Sequence, residues 1–199
     1  MKNLFYPALY IISVTFLLSC GESQKKQNNE WKLVWEEEFN QTNGFDTTYW
    51  TKIPRGTADW NNYMSDNENL YSVEDGKLIL RGIVNTERSI DTVPFLTGGL
   101  YTKDKKTFSN GRIEIKAKLQ GARGAWPAIW MLAQNAKWPH GGEIDIMERL
   151  NSDTFAYQTV HSPYTLAGNT EPNKSGTGAI NPDDYNIYGV EVYTDSLVL

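Results

Sequence analysis

The chain has 199 residues, of which 40% are hydrophobic, and a formal net charge of −5. This mild acidity, with no basic run, argues against a nucleic-acid-binding protein. A single cysteine excludes an internal disulfide, so the fold must be stabilised by its core alone.

The first thirty residues have the pattern of an export signal and a tether. The apolar run from Leu4 to Leu18 is too short for a comfortable membrane span. It ends just before Cys20, and this ending resembles a bacterial lipobox, in which the cysteine becomes the lipidated first residue. We expect a signal peptide at 1–19 and a lipidated Cys20 with a polar tether at 20–30. An ordinary signal peptide with an incidental cysteine is the alternative.

Residues 31–199 are expected to form one all-β domain. Apolar alternation and turn signals predict many short strands, without a convincing helical period. The predicted strands are 31–35, 69–72, 77–81, 99–102, 112–119, 125–132, 143–148, 155–161 and 187–193. The interval 162–184 is rich in Gly, Pro, Asn and Thr and is predicted to be a long loop. Together these features predict a β-sandwich or jelly roll.

The last residues, Leu197 to Leu199, begin a new apolar strand after a turn. A half-made hairpin leaves an apolar edge. We therefore expect the domain to be incomplete at its C-terminus, with a short natural last strand as the alternative.

Three carboxylates lie within six residues, at Glu143, Asp145 and Glu148. On a strand, the first two share a face and the isoleucines between them point to the other. Glu148 joins that face only if one extra residue is absorbed as a β-bulge around Met147. Such a row is electrostatically costly unless a cation, a shared proton or a substrate uses it. A half-buried strand with a solvated acidic face is the alternative.

Glycoside hydrolysis is usually catalysed by two carboxylates that flank the scissile bond. In retaining enzymes these two carboxyl groups are about 5–5.5 Å apart. Same-face residues two positions apart on a strand are about 6–7 Å apart at Cα. This spacing supports Glu143 and Glu148 as a pair, with Asp145 between them to share a proton. A calcium site usually draws on loop carbonyls instead, and zinc is disfavoured because His140 and His161 lack a paired spacing. No cofactor is expected to be required for catalysis.

The segment Gly142 to Glu148 resembles the catalytic signature of glycoside hydrolase family 16, in its bulged, laminarinase-like form. The resemblance covers roughly residues 31–199 and includes the segments 35–39, 73–78, 108–114 and 124–132. It implies a catalytic domain with a jelly-roll fold and a concave cleft for a polysaccharide. It also implies Glu143 as the nucleophile, Glu148 as the acid/base and Asp145 as the assisting carboxylate.

The implied reaction is internal, retaining cleavage of β-1,3 or β-1,4 bonds in β-glucans such as laminarin or mixed-linkage glucan. Bulged members of the family also act on agar and carrageenan, so a galactan substrate remains open. The leader resembles those of polysaccharide-degrading surface lipoproteins of Bacteroidetes-type bacteria. We expect a monomeric, exported protein held at the outer membrane, facing the cell surface or the periplasm.

Three tryptophans are candidate sugar platforms, Trp126, Trp130 and Trp138, with core packing as the alternative. Trp126 and Trp130 share a parity along one predicted strand, which suits the floor of a cleft. His161 follows a strand and is expected to reach the acid/base, although a loop-lining polar role is equally open.

Asn61 and Asn62 resemble the family's sugar-binding asparagine pair, but Tyr63 replaces the glutamate that follows it. An ordinary Asn-rich turn is the alternative. Many family members carry a structural Ca²⁺, to which Glu38 and the Gly76 carbonyl would contribute.

Two non-hydrolytic functions remain possible at this point. One is a carbohydrate-binding lectin, since legume-type lectins share the architecture. The other is a surface glycan-binding protein that has lost turnover. The intact Glu-x-Asp-x-x-Glu set favours an enzyme, because a lectin has no use for two well-placed carboxylic acids.

Overall fold

The computed structural model describes residues 31–41, 44–169 and 174–199. The predicted signal peptide, Cys20 and the tether lie outside the described residues. Within those ranges the chain forms thirteen strands, one four-residue α-helix and one 3₁₀ helix, Glu68–Leu70. The other elements are β1 (Thr51–Lys52), β2 (Tyr71–Glu74), β3 (Lys77–Leu80), β4 (Gly82–Val84), β5 (Phe95–Thr97), β6 (Leu100–Tyr101), β7 (Gly111–Ala117), β8 (Ala128–Leu132), β9 (Glu143–Glu148), β10 (Phe155–His161), α1 (Pro163–Leu166), β11 (Ser175–Ala179), β12 (Asn186–Val192) and β13 (Leu197–Val198).

Two antiparallel sheets pack against each other around the main core. One has the order β11-β10-β9-β8 and the other the order β13-β12-β7. Between them lie Ile146, Met147 and Ala156 from the first sheet and Tyr188 and Val190 from the second, all buried. The predicted all-β sandwich is therefore present, and the acidic strand β9 lies in the interior of the four-stranded sheet.

A second, smaller core forms where β2, β5 and the 3₁₀ helix meet, around Leu70, Tyr71 and Leu96. The β2–β3 hairpin turns through Asp75 and Gly76, both with positive φ, of 51° and 68°. Two consecutive positive φ angles are typical of the tight hairpin turn that the sequence predicts here.

The strand predicted at 31–35 is absent, and this part of the prediction is wrong. These residues run without a ladder partner and are held by aromatic contacts. The ring of Trp35 lies 5.8 Å from Tyr49 and 5.5 Å from Phe108, and Trp31 lies 6.2 Å from Tyr193. The alternating apolar residues of this segment pack against other side chains and do not pair with a neighbouring strand.

The long loop predicted at 162–184 is also wrong in part, because it contains α1 and β11. Helix α1 begins with a capping box between Ser162 and Thr165. Strand β11, with the sequence SGTGA, is wholly exposed and pairs with β10 at the sheet's edge. A strand of Gly and small polar residues has no apolar alternation, so its pairing comes from the neighbouring strand.

Among the described residues, no helix has the length and apolar character needed to cross a membrane.

Candidate active site

The acidic strand contains the predicted bulge. Against β8, Asp145 faces Trp130 and Met147 faces Ile129, so Ile146 is the extra residue. The register with β10 shifts at the same place. Ile146 and Met147 are consecutive, yet both are fully buried in the core between the sheets. The bulge therefore returns Glu148 to the face of Glu143 and Asp145.

The carbonyl of the bulged residue, Ile146, has a side-chain hydrogen-bond partner. Gln158 donates its Nε2 hydrogen to the Ile146 carbonyl at 3.1 Å. Ala156, two residues before Gln158 and on the same face of β10, is buried in the core, so Gln158 is a polar residue on a strand face that contributes to the core. A buried carbonyl without a partner would cost free energy, and Gln158 supplies that partner.

The three carboxylates interact although their strand positions are well separated. Glu143 and Glu148 lie opposite Leu132 and Ala128, four residues apart on β8, which is about 13 Å at Cα. This is twice the same-face step, and Asp145 lies between the two glutamates on the strand. Both glutamates raise the pKa of Asp145 through their charges, which requires their carboxylates to lie near it.

Burial is the main cause of the raised pKa of Asp145, which reaches about 7 from an ordinary value of 3.8. The residue is only 3% exposed, and burial disfavours the charged form. The charges of Glu148 and Glu143, and then a hydrogen bond with Glu143, raise the pKa further. The hydrogen bond with Glu143 favours the protonated form of Asp145, in which the Asp145 carboxyl group can act as the donor.

This pKa makes folding stability depend on pH. The folded chain keeps the Asp145 proton up to about pH 7, whereas the unfolded chain releases it near 3.8. The stabilisation from that proton is therefore full below pH 3.8 and is lost as pH rises through 7. We expect Asp145→Asn, which mimics the neutral acid, to exceed wild type in free energy of unfolding by a few kcal/mol at pH 8 and by little at pH 4. Urea titrations at the two pH values measure the difference.

Asp91→Asn is the matched control, and its effect on the free energy of unfolding is expected to have the opposite pH dependence. Arg55 binds both oxygens of Asp91, at 2.7 and 2.6 Å, and holds the pKa of that carboxyl below its usual value. This pair therefore stabilises the fold at neutral pH and loses effect as pH falls. An Asp145→Asn difference that stays constant between pH 4 and pH 8 would contradict the account of Asp145.

Two predicted tryptophans hydrogen-bond to the outer carboxylates. Trp126 donates its Nε1 hydrogen to Glu148 Oε1 at 2.8 Å, and Trp138 donates to Glu143 Oε2 at 2.7 Å. Trp130 lies opposite Asp145, on the same face of the sheet. The structure thus brings all three tryptophans to the carboxylate face, where core packing is not their role.

His161 is the last residue of β10 rather than a residue after it. Its Nε2 atom lies 3.1 Å from Asp145 Oδ2, and in the strand register it faces Glu143. The expectation that it reaches Glu148 is therefore wrong, because Tyr157 is the β10 residue opposite Glu148. His161 belongs to the half of the row that contains Glu143.

The turn with the asparagine pair lies beside this face. Trp60, directly before the pair, packs edge-on against Trp130 with ring centroids 5.1 Å apart. Asn61 Oδ1 accepts a hydrogen bond from the Ala58 amide at 3.1 Å, as in an ordinary turn. Asn62 Oδ1 is buried and makes no protein hydrogen bond within the described ranges.

Trp60 and Tyr157 also lie at this face, although the sequence does not single them out as site residues. Trp60 is 42% exposed and extends the aromatic surface that begins at Trp130. Its position directly before Asn61 was the one available signal. Tyr157 lies opposite Glu148, and its hydroxyl donates to Asp153 Oδ2 at 3.0 Å. Nothing in its local sequence separates it from an ordinary strand tyrosine.

The two residues predicted to hold calcium do lie close together. A Cβ atom built on Gly76 would be 3.7 Å from the Glu38 carbonyl oxygen and 3.3 Å from Asn40 Oδ1. Backbone carbonyl and side-chain amide oxygens are common ligands of Ca²⁺. The oxygen atoms beside Gly76 are therefore of the types that bind this ion. Across the described residues, no cluster of three His, Cys, Asp or Glu side chains is placed to hold a metal. The calcium site stays a prediction.

A comparison with protein families matches residues 55–187 to the model described as "XgeA-like, catalytic GH16 domain". Among curated proteins, the chain is 36% identical to a keratan-sulfate endo-1,4-beta-galactosidase of Sphingobacterium multivorum, over 80% of this chain and 38% of the relative. It is 30% identical to glucan endo-1,3-beta-glucosidase A1 of Niallia circulans, over 83% of this chain and 27% of the relative. The chain thus spans well under half the length of both.

Among solved structures, the laminarinase catalytic domain from Thermotoga maritima MSB8 is similar, with a TM-score of 0.71 and 29% identity. The match covers 84% of this chain and 72% of that structure. The similarity confirms the predicted jelly-roll sandwich as the fold of this chain.

Proposed function

The chain belongs to glycoside hydrolase family 16, whose catalytic-domain model matches residues 55–187, and on this basis we propose that it is a retaining, endo-acting glycoside hydrolase. The observation that supports this most strongly is the row of Glu143, Asp145 and Glu148 on one sheet face. The bulge places all three on that face, and two indoles hold the outer pair.

In the proposed mechanism, Glu143 attacks the anomeric carbon while Glu148 protonates the leaving oxygen, so that the glycosidic bond breaks and a glycosyl ester forms. A water molecule then attacks the same carbon as Glu148 takes its proton, and the ester bond to Glu143 breaks. Asp145 keeps a proton shared with Glu143, which relieves repulsion between the two carboxylates. Two displacements at one carbon give retention of configuration.

We propose β-glucan as the substrate, either a laminarin or a mixed-linkage glucan. The supporting observations are the relatives in Niallia circulans and Thermotoga maritima, described as an endo-1,3-β-glucosidase and a laminarinase. The aromatic surface of Trp130 and Trp60 is suited to a neutral glucan, because it presents apolar ring faces and edges.

A β-galactan is the second candidate substrate. It is favoured by one observation, the 36% identity to a keratan-sulfate endo-1,4-beta-galactosidase. The carboxylate chemistry would be the same for both sugars, so the choice depends on contacts away from Glu143 and Glu148. Agarose and carrageenan belong to the same class of candidates.

A non-catalytic, lectin-like protein is the remaining alternative. A binding protein gains nothing from a buried Asp145 between two glutamates, because the arrangement costs stability above neutral pH. The cost is understandable where the shared proton and the paired carboxylates take part in bond cleavage.

The test is incubation of the purified protein with laminarin, mixed-linkage β-glucan, agarose, carrageenan and keratan sulfate, with reducing ends followed over time. We expect new reducing ends from a glucan. Release from a galactan alone would overturn the glucan assignment and leave the mechanism in place. Binding to any of the five polymers without cleavage, by a folded protein, would support the lectin-like alternative.

A further inference from the structure

The two outer carboxylates of the row are each held by one indole N–H group. Trp126 Nε1 is 2.8 Å from Glu148 Oε1, and Trp138 Nε1 is 2.7 Å from Glu143 Oε2. Neither tryptophan lies on β9 itself. Trp126 comes from the loop before β8 and Trp138 from the loop between β8 and β9. The same contact is thus made twice, from two different loops, on the two groups between which the reaction would occur.

An indole is an unusual partner for a carboxylate. It has one donor and no acceptor, so it binds a single oxygen and leaves the other available. It has no charge, so it orients a carboxylate without forming an ion pair with it. A hydrogen bond to a charged group is also stronger than a neutral one. These properties suit a group that must fix a side chain and leave it reactive.

The loop of Trp126 is tied to the segment that follows Glu148. The Gly124 amide donates to Asn151 Oδ1 at 2.8 Å, and the Asn151 amide donates to the Ala125 carbonyl at 2.8 Å. The Arg149 amide donates to the Pro127 carbonyl at 3.0 Å. The chain on both sides of Trp126 is therefore bonded to residues just beyond Glu148, and the indole has a defined position relative to that carboxylate.

The loop of Trp138 is a tight turn that leads directly into Glu143. The amides of His140 and Gly141 both donate to the Lys137 carbonyl, at 2.9 and 3.2 Å. A Cβ atom on Gly141 would lie 2.6 Å from the Cβ of Ala133, so the turn packs too closely for a side chain. Gly142 has a φ of 74°, which favours glycine. The backbone between this indole and Glu143 is therefore tightly constrained.

Both indoles are also half exposed, 49% for Trp126 and 53% for Trp138. Burial in a core therefore does not explain their positions. The ring of Trp130, by contrast, packs against Trp60.

We propose that Trp126 and Trp138 are positioning residues, and that each uses its indole N–H to hold one catalytic glutamate in the orientation needed for reaction. Trp126 holds the acid/base Glu148, and Trp138 holds the nucleophile Glu143. This inference rests on the proposed function. The two contacts hold groups with different roles, an acid/base and a nucleophile, so their loss has different consequences.

Phenylalanine tests the inference, because it keeps an aromatic ring and removes the N–H. The measurement is kcat/KM for each variant on two substrates, the oligosaccharide that the wild type cleaves and its 2,4-dinitrophenyl β-glycoside. Dinitrophenolate leaves without protonation, so the first chemical step on this substrate does not need a general acid. It still needs the nucleophile.

We expect Trp126→Phe to lower kcat/KM about 10- to 100-fold on the oligosaccharide but less than about 3-fold on the dinitrophenyl glycoside. Trp138→Phe is expected to lower it about 10- to 100-fold on both. KM should change little, since a ring remains at each position. Trp50→Phe is the matched control, because it removes an indole bond to Glu37 Oε2 of 3.2 Å outside the site. It is expected to match wild type on both substrates.

A smaller change keeps the test decisive if a phenylalanine variant does not fold. Benzothienylalanine at either position keeps the bicyclic ring and replaces the N–H with sulfur, and it is expected to give the same two patterns. Equal losses on both substrates for Trp126, or wild-type rates for both positions, would overturn the inference alone. A folded wild-type protein with no activity on any glycan would overturn the proposed function, and the inference with it.

Discussion

The Glu143→Gln variant is expected to lose at least about 10⁴-fold in kcat on the glycan that the wild type cleaves. A neutral amide is a poor nucleophile toward an anomeric carbon, so the glycosyl ester does not form. Glutamine has nearly the shape of glutamate, and its amide oxygen still accepts the Trp138 hydrogen bond made by Glu143 Oε2. The loss should therefore appear in turnover and leave folding and substrate affinity in place. Initial rates of reducing-end release measure it.

Glu114→Gln is the control for this variant. Glu114 is an exposed residue of β7, in the opposite sheet, and it pairs with Arg112. The change removes one charge of the same type without touching the carboxylate face. We expect wild-type kcat. A Glu143→Gln variant with kcat within tenfold of the wild-type value would contradict the assignment of Glu143 as the nucleophile.

The Glu148→Ala variant is expected to lose about 10²- to 10⁴-fold on the natural glycan, which is the usual contribution of general acid–base catalysis. On the dinitrophenyl glycoside its kcat/KM should stay near wild type, because the leaving group needs no proton. The ester intermediate should then accumulate, since no base activates water. Added azide needs no base, so we expect it to restore turnover and to yield a glycosyl azide of β configuration.

The two glutamate variants are distinguished by whether an activated leaving group or azide restores their activity. Glu143→Gln should gain nothing from the dinitrophenyl leaving group, because the missing group is the nucleophile. The control for azide is the wild-type enzyme, whose rate should not rise. If azide fails to raise the rate of Glu148→Ala while the dinitrophenyl substrate is consumed normally, Glu148 is not the base of the second step.

The bulge could be predicted because the alternation of apolar residues and carboxylates along the strand is broken at one place. Between Asp145 and Glu148 there are two apolar residues where strict alternation allows one. Both Ile146 and Met147 are among the most deeply buried residues. A strand that must bury two consecutive apolar side chains and keep its carboxylates on one face has few other solutions. The local pattern thus determined the local geometry.

Contacts between distant segments were not predictable in the same way. Trp60 meets Trp130 across seventy residues of sequence, and neither local pattern signals the other. His161 has the correct face for the site, but the carboxylate it meets depends on the register between β9 and β10, in which His161 lies opposite Glu143 and Tyr157 lies opposite Glu148. A register that differs by two residues keeps a side chain on the same face but gives it a different partner along the row.

The predictions for β11 and for the segment 31–35 were wrong for opposite reasons. β11 lacks the apolar alternation that marks a strand, yet it pairs with β10 at five positions. The segment 31–35 has the alternation but no partner strand, and its tryptophans pack on other aromatic residues. Hydrogen-bond partners of an edge segment come from its neighbour in space, so sequence alone is a weak guide there.

Glu143 and Glu148 are expected to act on one anomeric carbon in two displacements. The most direct test is proton NMR of the first product formed by the wild-type enzyme, recorded before mutarotation mixes the anomers. We expect the new reducing end to appear as the β-anomer, because two inversions restore the configuration of the substrate bond. An α-anomer as the first product would mean a single displacement by water, and it would contradict the assignment of Glu143 as a covalent nucleophile.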